Sequence, residues 1–375
     1  MMEIGKLVPL VEVFEGIADW RSPRQTRHQL AELLTVAVCA VLCGADDFEA
    51  ISEWGKERLD WLRGFLALEF GVASPDTYER VFAVLDPRQF EAAFINWVGR
   101  LIPALGRDQV VAIDGKSSRR TTSKAAAQPL HLVSAFAADI GVVLGQRACE
   151  EKSNEITAIP ELLRTLDVEN CIVTIDAMGT QTAIAQTIRD RKAHYVLCVK
   201  DNQPKLTDSI QLALTGMSGE LKADSYSETI NHGHGREEVR RCWAYQGIDR
   251  LYKSEQWRDL RSFAVVERER RVGGKTSTER CYYISSLAAE AEKIAHSVRS
   301  HWEVENRLHW CLDVQFGDDY ARARTQHAAH NLALVRHIAI NMIRLNSSRK
   351  ASIKVKRLLA ATSDRFRCEL LGLMT

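Results

Sequence analysis

Gln109-Val110-Val111-Ala112-Ile113-Asp114-Gly115-Lys116 is the stretch on which the reading of this chain turns. Its apolar run is short and rich in β-branched residues, which predicts a strand, and it stops on the carboxylate of Asp114. A second run, Cys171-Ile172-Val173-Thr174-Ile175, stops in the same way on Asp176. Glu305 sits in a helical segment, His301 to Trp310. The three acids are 62 and 129 residues apart. Two acids on strand ends and one on a later helix are what a two-metal phosphoryl-transfer site needs. Hard cations such as Mg²⁺ prefer oxygen ligands, and a pair ~3.5–4 Å apart can clamp the attacking and leaving oxygens of a phosphodiester. The pattern predicts chemistry on nucleic acid.

The elements around these acids follow a recognisable order. Gln109–Ile113, Leu130–Ala138 and Gly141–Gln146 read as three consecutive strands. Helix 156–166, strand 171–175, helix 180–191 and strand 194–199 come next. Three strands and then alternating helix and strand is the order of the ribonuclease-H-like fold, with the first acid on strand one, the second after strand four and the third on a later helix. Residues 207–285 break the alternation with four β-runs, read as a β-rich insertion before the core resumes with helices over 286–348. Residues 1–105 read as an all-α domain, with helical spacing through 29–42 and 48–66 and an N-cap at Asp76-Thr77. The expected architecture is therefore α/β: a mixed sheet flanked by helices (106–206 and 286–348), with the insertion and the N-terminal domain added.

The chain of 375 residues is 46% hydrophobic and 26% charged, an ordinary composition for a soluble protein. No apolar run is long enough for a membrane span, and Met1-Met2-Glu3-Ile4-Gly5-Lys6 lacks a signal-peptide layout. Nine cysteines without a CxxC pair point to buried free thiols in a reducing cytoplasm rather than to zinc. Net charge is +1, but residues 1–105 carry −6 and residues 106–375 carry +7. The last segment, 349–375, carries +5 through Arg349, Lys350, Lys354, Lys356 and Arg357, and reads as a basic tail that contacts DNA phosphates or is merely solvated. Arg21, Arg24, Arg27 and His28 form one basic patch in the acidic domain.

Ala112-Ile113-Asp114-Gly115-Lys116, Thr174 through Gln181, Tyr195 through Gln203, Gly233-His234-Gly235-Arg236-Glu237 and His301 through Val314 together resemble DDE transposases of bacterial insertion sequences. The similarity is greatest to the ISAs-type branch, which includes the H-repeat-associated proteins. Arg27-His28, Ile51, Trp54 and Asp76 through Pro87 resemble that branch's helical domain, so the resemblance covers nearly the whole chain. It implies transposition by Mg²⁺-dependent DNA cleavage and strand transfer. Asp114, Asp176 and Glu305 would hold two ions, with Mn²⁺ as a substitute. The implied partners are the element's terminal repeats and target DNA, and the implied assembly is a homodimer pairing two ends, cytoplasmic and nucleoid-associated. One departure stands out. The wider group of β-inserted transposases carries Tyr, Arg and Lys around the last acid, where this chain has Val298, His301 and Leu312. The missing phosphate-binding cations would come from elsewhere or be replaced in part by His301, Arg299 and Arg307.

Asp313, eight residues after Glu305 and on roughly the same helical side, is the main rival for the third acid or a supporting partner of it. Lys200, Arg236 and Arg240 are candidate DNA contacts; for Lys200 an ordinary surface lysine is an equal alternative. His232 and His234 have a His-x-His spacing without companion ligands, a weak metal signal. Two other functions fit the same fold: a domesticated DNA-binding protein without catalysis, and a stand-alone nuclease or resolvase.

Overall fold

The computed structural model describes residues 10–22, 26–102, 104–121, 129–149, 155–215, 222–233 and 236–373. Its centre is one mixed sheet of nine strands: β1 (Val110–Ser118), β2 (Leu130–Ala137), β3 (Val142–Cys149), β4 (Ile172–Ile175), β5 (His194–Val199), β6 (Ser225–Gly233), β7 (Arg236–Tyr245), β8 (Ser262–Val272) and β9 (Lys275–Ser285). Their order is β3-β2-β1-β4-β5-β9-β8-β7-β6. β1, β2 and β3 are antiparallel neighbours, whereas β4 runs parallel to both β1 and β5. This is the ribonuclease-H-like arrangement. Val110–Ile113 are wholly buried, as expected for a central strand covered on both faces.

The β-rich insertion continues the same sheet, because β9 pairs antiparallel with β5. Its inner halves are buried and its outer halves exposed, so β8 and β9 project beyond the core as an arm. Gly273 and Gly274, both at positive φ, close that hairpin in two residues, a turn that matches strand twist. Charges along the arm pair across strands: Arg241 with Glu228, Glu267 and Glu269, Arg271 with Glu237, and Arg280 with Glu267. His234 and Gly235 lie outside the described residues, as do Arg24, Pro103 and the first nine residues.

The helices are α1 (Leu10–Glu15), α2 (Leu30–Leu42), α3 (Phe48–Glu57), α4 (Leu59–Leu62), α5 (Pro75–Val84), α6 (Pro87–Leu101), α7 (Glu155–Thr165), α8 (Thr182–Asp190), α9 (Pro204–Thr215), α10 (Ala291–His301), α11 (Trp310–Phe316), α12 (Ala328–Leu345), α13 (Ile353–Thr362) and α14 (Asp364–Leu371). All of α2 is buried, which is why its sequence is apolar all round rather than striped. α12, buried along most of its length, packs on α2, α5 and α6 and also on β3. Through it one continuous apolar core runs from α1 across the sheet to α14.

The segment 349–375, expected to be a basic tail, folds instead into α13 and α14. Lys356 donates to the carbonyls of Ile343 (2.9 Å) and Asn346 (2.6 Å). A cation is favourable at these end carbonyls of α12. Arg357 donates to the Val41 carbonyl (2.7 Å), pairs with Asp46 (2.6 Å) and covers the Phe316 ring. These two heads serve internal acceptors and are withdrawn from DNA; Lys354 stays exposed. All nine cysteines are free thiols. No helix among the described residues is long and apolar enough to cross a membrane.

Candidate functional site

Strand register brings the first two acids together. The parallel ladder of β1 and β4 ends at Ile113 opposite Ile175, so Asp114 and Asp176 are the next residues on the two chains. Neighbouring strands lie ~4.8 Å apart and side chains alternate faces, which sends both carboxylates to one face of the sheet. Asp114 is not a strand end, however. β1 continues to Ser118 against β2, so this acid projects from a rigid ladder. Asp176 begins a tight loop in which its carboxylate accepts from the Gly179 amide (3.2 Å).

That loop is pinned to the end of β5. Thr180 donates to the Cys198 carbonyl (2.5 Å), Gln203 donates to the Thr180 carbonyl (3.0 Å), and Asn202 donates to the Ala177 carbonyl. The motif after β5 thus braces the motif after β4, a role its sequence did not reveal.

Glu305 arrives from above the sheet. Between α10 and α11 the chain widens into a π-helical turn, Val304–His309, where the Trp310 amide donates to the Glu305 carbonyl. Such turns are uncommon and concentrate at functional sites. The turn aims both Glu305 and His309 at β1: His309 Nδ1 lies 3.5 Å from a Glu305 oxygen and 3.6 Å from an Asp114 oxygen. One donor atom from each of Asp114, Glu305 and His309 falls within 4.8 Å of the others. Asp176 lines the same cavity of about 530 Å³, with Lys200, His301 and Trp302 at its walls. His309 is buried, and its Nε2 has no hydrogen-bond partner among the described residues. Sequence reasoning missed it, although its four-residue spacing from Glu305 was visible.

Electrostatics follow from this crowding. Burial pushes the Asp114 carboxyl up to about 6; His309 opposes the rise, while Glu305 and Asp176 add to it. Glu305, more exposed, is held below the usual carboxylate range, first by its hydrogen bond with His309 and further by Lys116. Burial drives His301 down to about 4 against the pull of Asp176 and Glu305, and its Nδ1 lies 3.1 Å from the Thr174 hydroxyl. At neutral pH a histidine held this low does not supply the positive charge of a phosphate-binding arginine.

Arg307, expected at the DNA, is instead engaged within the fold. It donates to the Ala138 carbonyl (2.5 Å) and pairs with Glu303 (2.6 Å), bracing the turn between β2 and β3. Asp313 does not join the acid cluster: it pairs with Lys116 (2.6 Å), which Asp318 (3.3 Å) and Asp319 (3.6 Å) also face. Arg240 pairs with Glu238 (2.7 Å), whereas Arg236 is exposed where β7 begins. Arg21 of the N-terminal patch is bound to Asp19 (2.6 Å).

The donor set suits a hard divalent cation: carboxylate oxygens, one imidazole nitrogen, and a buried acid whose charge is costly until a cation offsets it. Comparison with known proteins agrees with the fold. A family model described as Transposase DDE domain matches residues 105–342, and one described as DDE_Tnp_1-associated matches residues 11–98. The chain is 38% identical to "Putative transposase YncI" of Escherichia coli O157:H7, over 95% of this chain and 92% of that protein. It is 35% identical to "H repeat-associated putative transposase YhhI" of Escherichia coli K12, over 99% of both. A solved piggyBac transposase synaptic complex with hairpin DNA superposes only loosely, with a TM-score of 0.44 at 12% identity over 95% of this chain and 78% of that one. With both family models and full-length relatives agreeing, the chain belongs to the DDE transposase family.

Proposed function

We propose that this protein is the transposase of an insertion sequence, cutting DNA at the element ends and joining the freed 3′-hydroxyls to target DNA. Asp114, Asp176 and Glu305 are the carboxylates that hold two divalent cations, Mg²⁺ or Mn²⁺, with His309 beside them. One observation carries the proposal: the β1–β4 register sets two acids side by side beneath the turn that bears the third. The cations, when bound, supply Lewis acidity toward the phosphodiester oxygens.

The protein's own groups do the positioning. β1 fixes Asp114, the Gly179 amide orients Asp176, and His309 ties Glu305 to Asp114. Val196, Val298, Trp302 and Val304 wall the cavity with apolar surface, which limits water and strengthens local electrostatics. Lys200, exposed on that wall, offers an ammonium to a phosphate where the family's usual cations are missing. DNA is the partner, a homodimer pairs the two ends, and the work is done on the nucleoid in the cytoplasm.

The test is a strand-transfer assay with an element-end duplex, a target plasmid and Mg²⁺. The wild-type protein should give 3′-end cuts and joined products that EDTA abolishes. Asp114→Ala, Asp176→Ala and Glu305→Ala should each be inactive yet still bind ends. Joining by any of the three would overturn the assignment. Binding without cutting by the wild type would favour the domesticated DNA-binding reading, and cutting without joining would favour the nuclease.

A further inference from the structure

We propose that Arg120, Arg322 and Arg324, with Arg119 at their edge, form a track for the phosphate backbone of duplex DNA leading away from Asp114. This deepens the reading above and rests on it. The four side chains come from two segments that each continue an acid-bearing element. β1 carries Asp114 and ends at Ser118, just before Arg119 and Arg120. The chain after Glu305 passes through α11 and a short 3₁₀ turn, Asp318–Tyr320, to reach Arg322 and Arg324.

The segments are joined. Arg324 Nε donates to the Arg120 carbonyl (3.0 Å), the Arg120 guanidinium lies 5.1 Å from the Tyr320 ring centre, and Arg119 sits 3.7 Å from Asp319. From Ala321 to Arg324 the chain alternates: Ala321 and Ala323 are buried, while Arg322 and Arg324 face solvent. Small residues beneath let the backbone lie flat and present its arginines outward.

Charge identifies the occupant. Among the described residues Arg120, Arg322 and Arg324 have no carboxylate partner, unlike Arg241, Arg268, Arg271 and Arg280 of the β-arm. A cluster of unpaired guanidiniums is a surface for a polyanion, and the planar fork suits phosphate. Tyr320, 68% exposed beside them, adds an aromatic face for sugar contact. Position agrees as well. The track lies beyond the carboxyl end of β1, on the side where open α/β sheets bind ligands. Five residue steps of extended chain lead from Asp114 to Arg119, roughly 16 Å, or about five base pairs of duplex. Such contacts set the path and register of the DNA without reading its sequence.

The experiment compares the full-length wild type with the triple variant Arg120→Gln/Arg322→Gln/Arg324→Gln, titrating a labelled element-end duplex and an unrelated duplex across a range of KCl. The control is Arg88→Gln/Arg100→Gln/Arg365→Gln, which removes the same charge from exposed arginines elsewhere. The slope of log affinity against log salt should shrink by about 2–3 in the track variant on both duplexes, with affinity at least tenfold lower at 0.15 M salt. The control should shift far less. Equal slopes for wild type and track variant, or equal losses in track and control variants, would overturn the track alone. A wild type that binds neither duplex, even at low salt, would overturn the DNA reading and the track together.

Discussion

Replacing Asp114 by Asn should stabilise the metal-free protein at neutral pH while abolishing its response to divalent cations. Burial, against His309 and with Glu305 and Asp176, pushes the Asp114 carboxyl to about 6 from the ordinary 3.8. An acid whose folded value exceeds its unfolded value favours folding only while protonated. Its contribution is fully present below about pH 4 and is lost as pH rises through 6. By pH 8 the accumulated loss is about 3 kcal/mol, at 1.36 kcal/mol per pH unit of displacement. Asparagine has nearly the same shape and does not titrate. The variant's advantage over wild type should therefore grow by roughly 1–1.5 kcal/mol between pH 5 and pH 8, and level off above pH 7. Urea unfolding in EDTA at pH 5, 6, 7 and 8, followed by tryptophan fluorescence, measures this, provided the denaturant slopes agree. Adding Mn²⁺ should raise the wild-type midpoint and leave the variant where it was. A difference between the two proteins that stays constant with pH would refute the account of crowded, buried charge.

Asp318→Asn should cost about 3–5 kcal/mol, because it leaves buried Arg336 without the carboxylate that now lies 2.7 Å away. Burial alone would raise the Asp318 carboxyl, but Arg336 and Lys116 outweigh it and hold it low. Its contribution is therefore present above about pH 4 and lost below; a cost under 1 kcal/mol in urea would contradict this. Arg357→Gln should cost about 2–4 kcal/mol of stability and leave the salt dependence of DNA binding unchanged, since its head is spent on Val41 and Asp46. A flattened salt slope with intact stability would restore the tail as a DNA contact. Gly115→Ala should destabilise by about 1–3 kcal/mol, because an added Cβ would meet the buried His131–Glu155 pair; calorimetry showing an unchanged melting temperature would refute the close approach.

The sheet that carries Asp114 was legible because its signals are local. Strand runs ending on acids, with helices between them, specify order, and order here nearly specifies the sheet. The four β-runs of the insertion were equally plain, yet nothing local says that Val196–Val199 pairs with Tyr282–Ser285, so their merger into one sheet stayed hidden. Charge was read least well. Lys356 and Arg357 look like a solvated basic run, and only the arrival of Ile343, Val41 and Asp46 from distant segments turns them inward. Arg307 misled for the same reason, since its acceptor on Ala138 is 169 residues away. His309 escaped because a histidine beside a tryptophan on an apolar helix face reads as core. The π-helical turn that aims it at Asp114 has no simple sequence signature.

Anomalous diffraction from crystals soaked in Mn²⁺ tests the central claim most directly. The account predicts peaks bounded by Asp114, Asp176 and Glu305, two of them about 3.5–4 Å apart when DNA is present, with at least one within coordination distance of Asp114. Peaks elsewhere on the chain, with none between these three side chains, would contradict it, as would an ion held by Asp313 in place of Glu305.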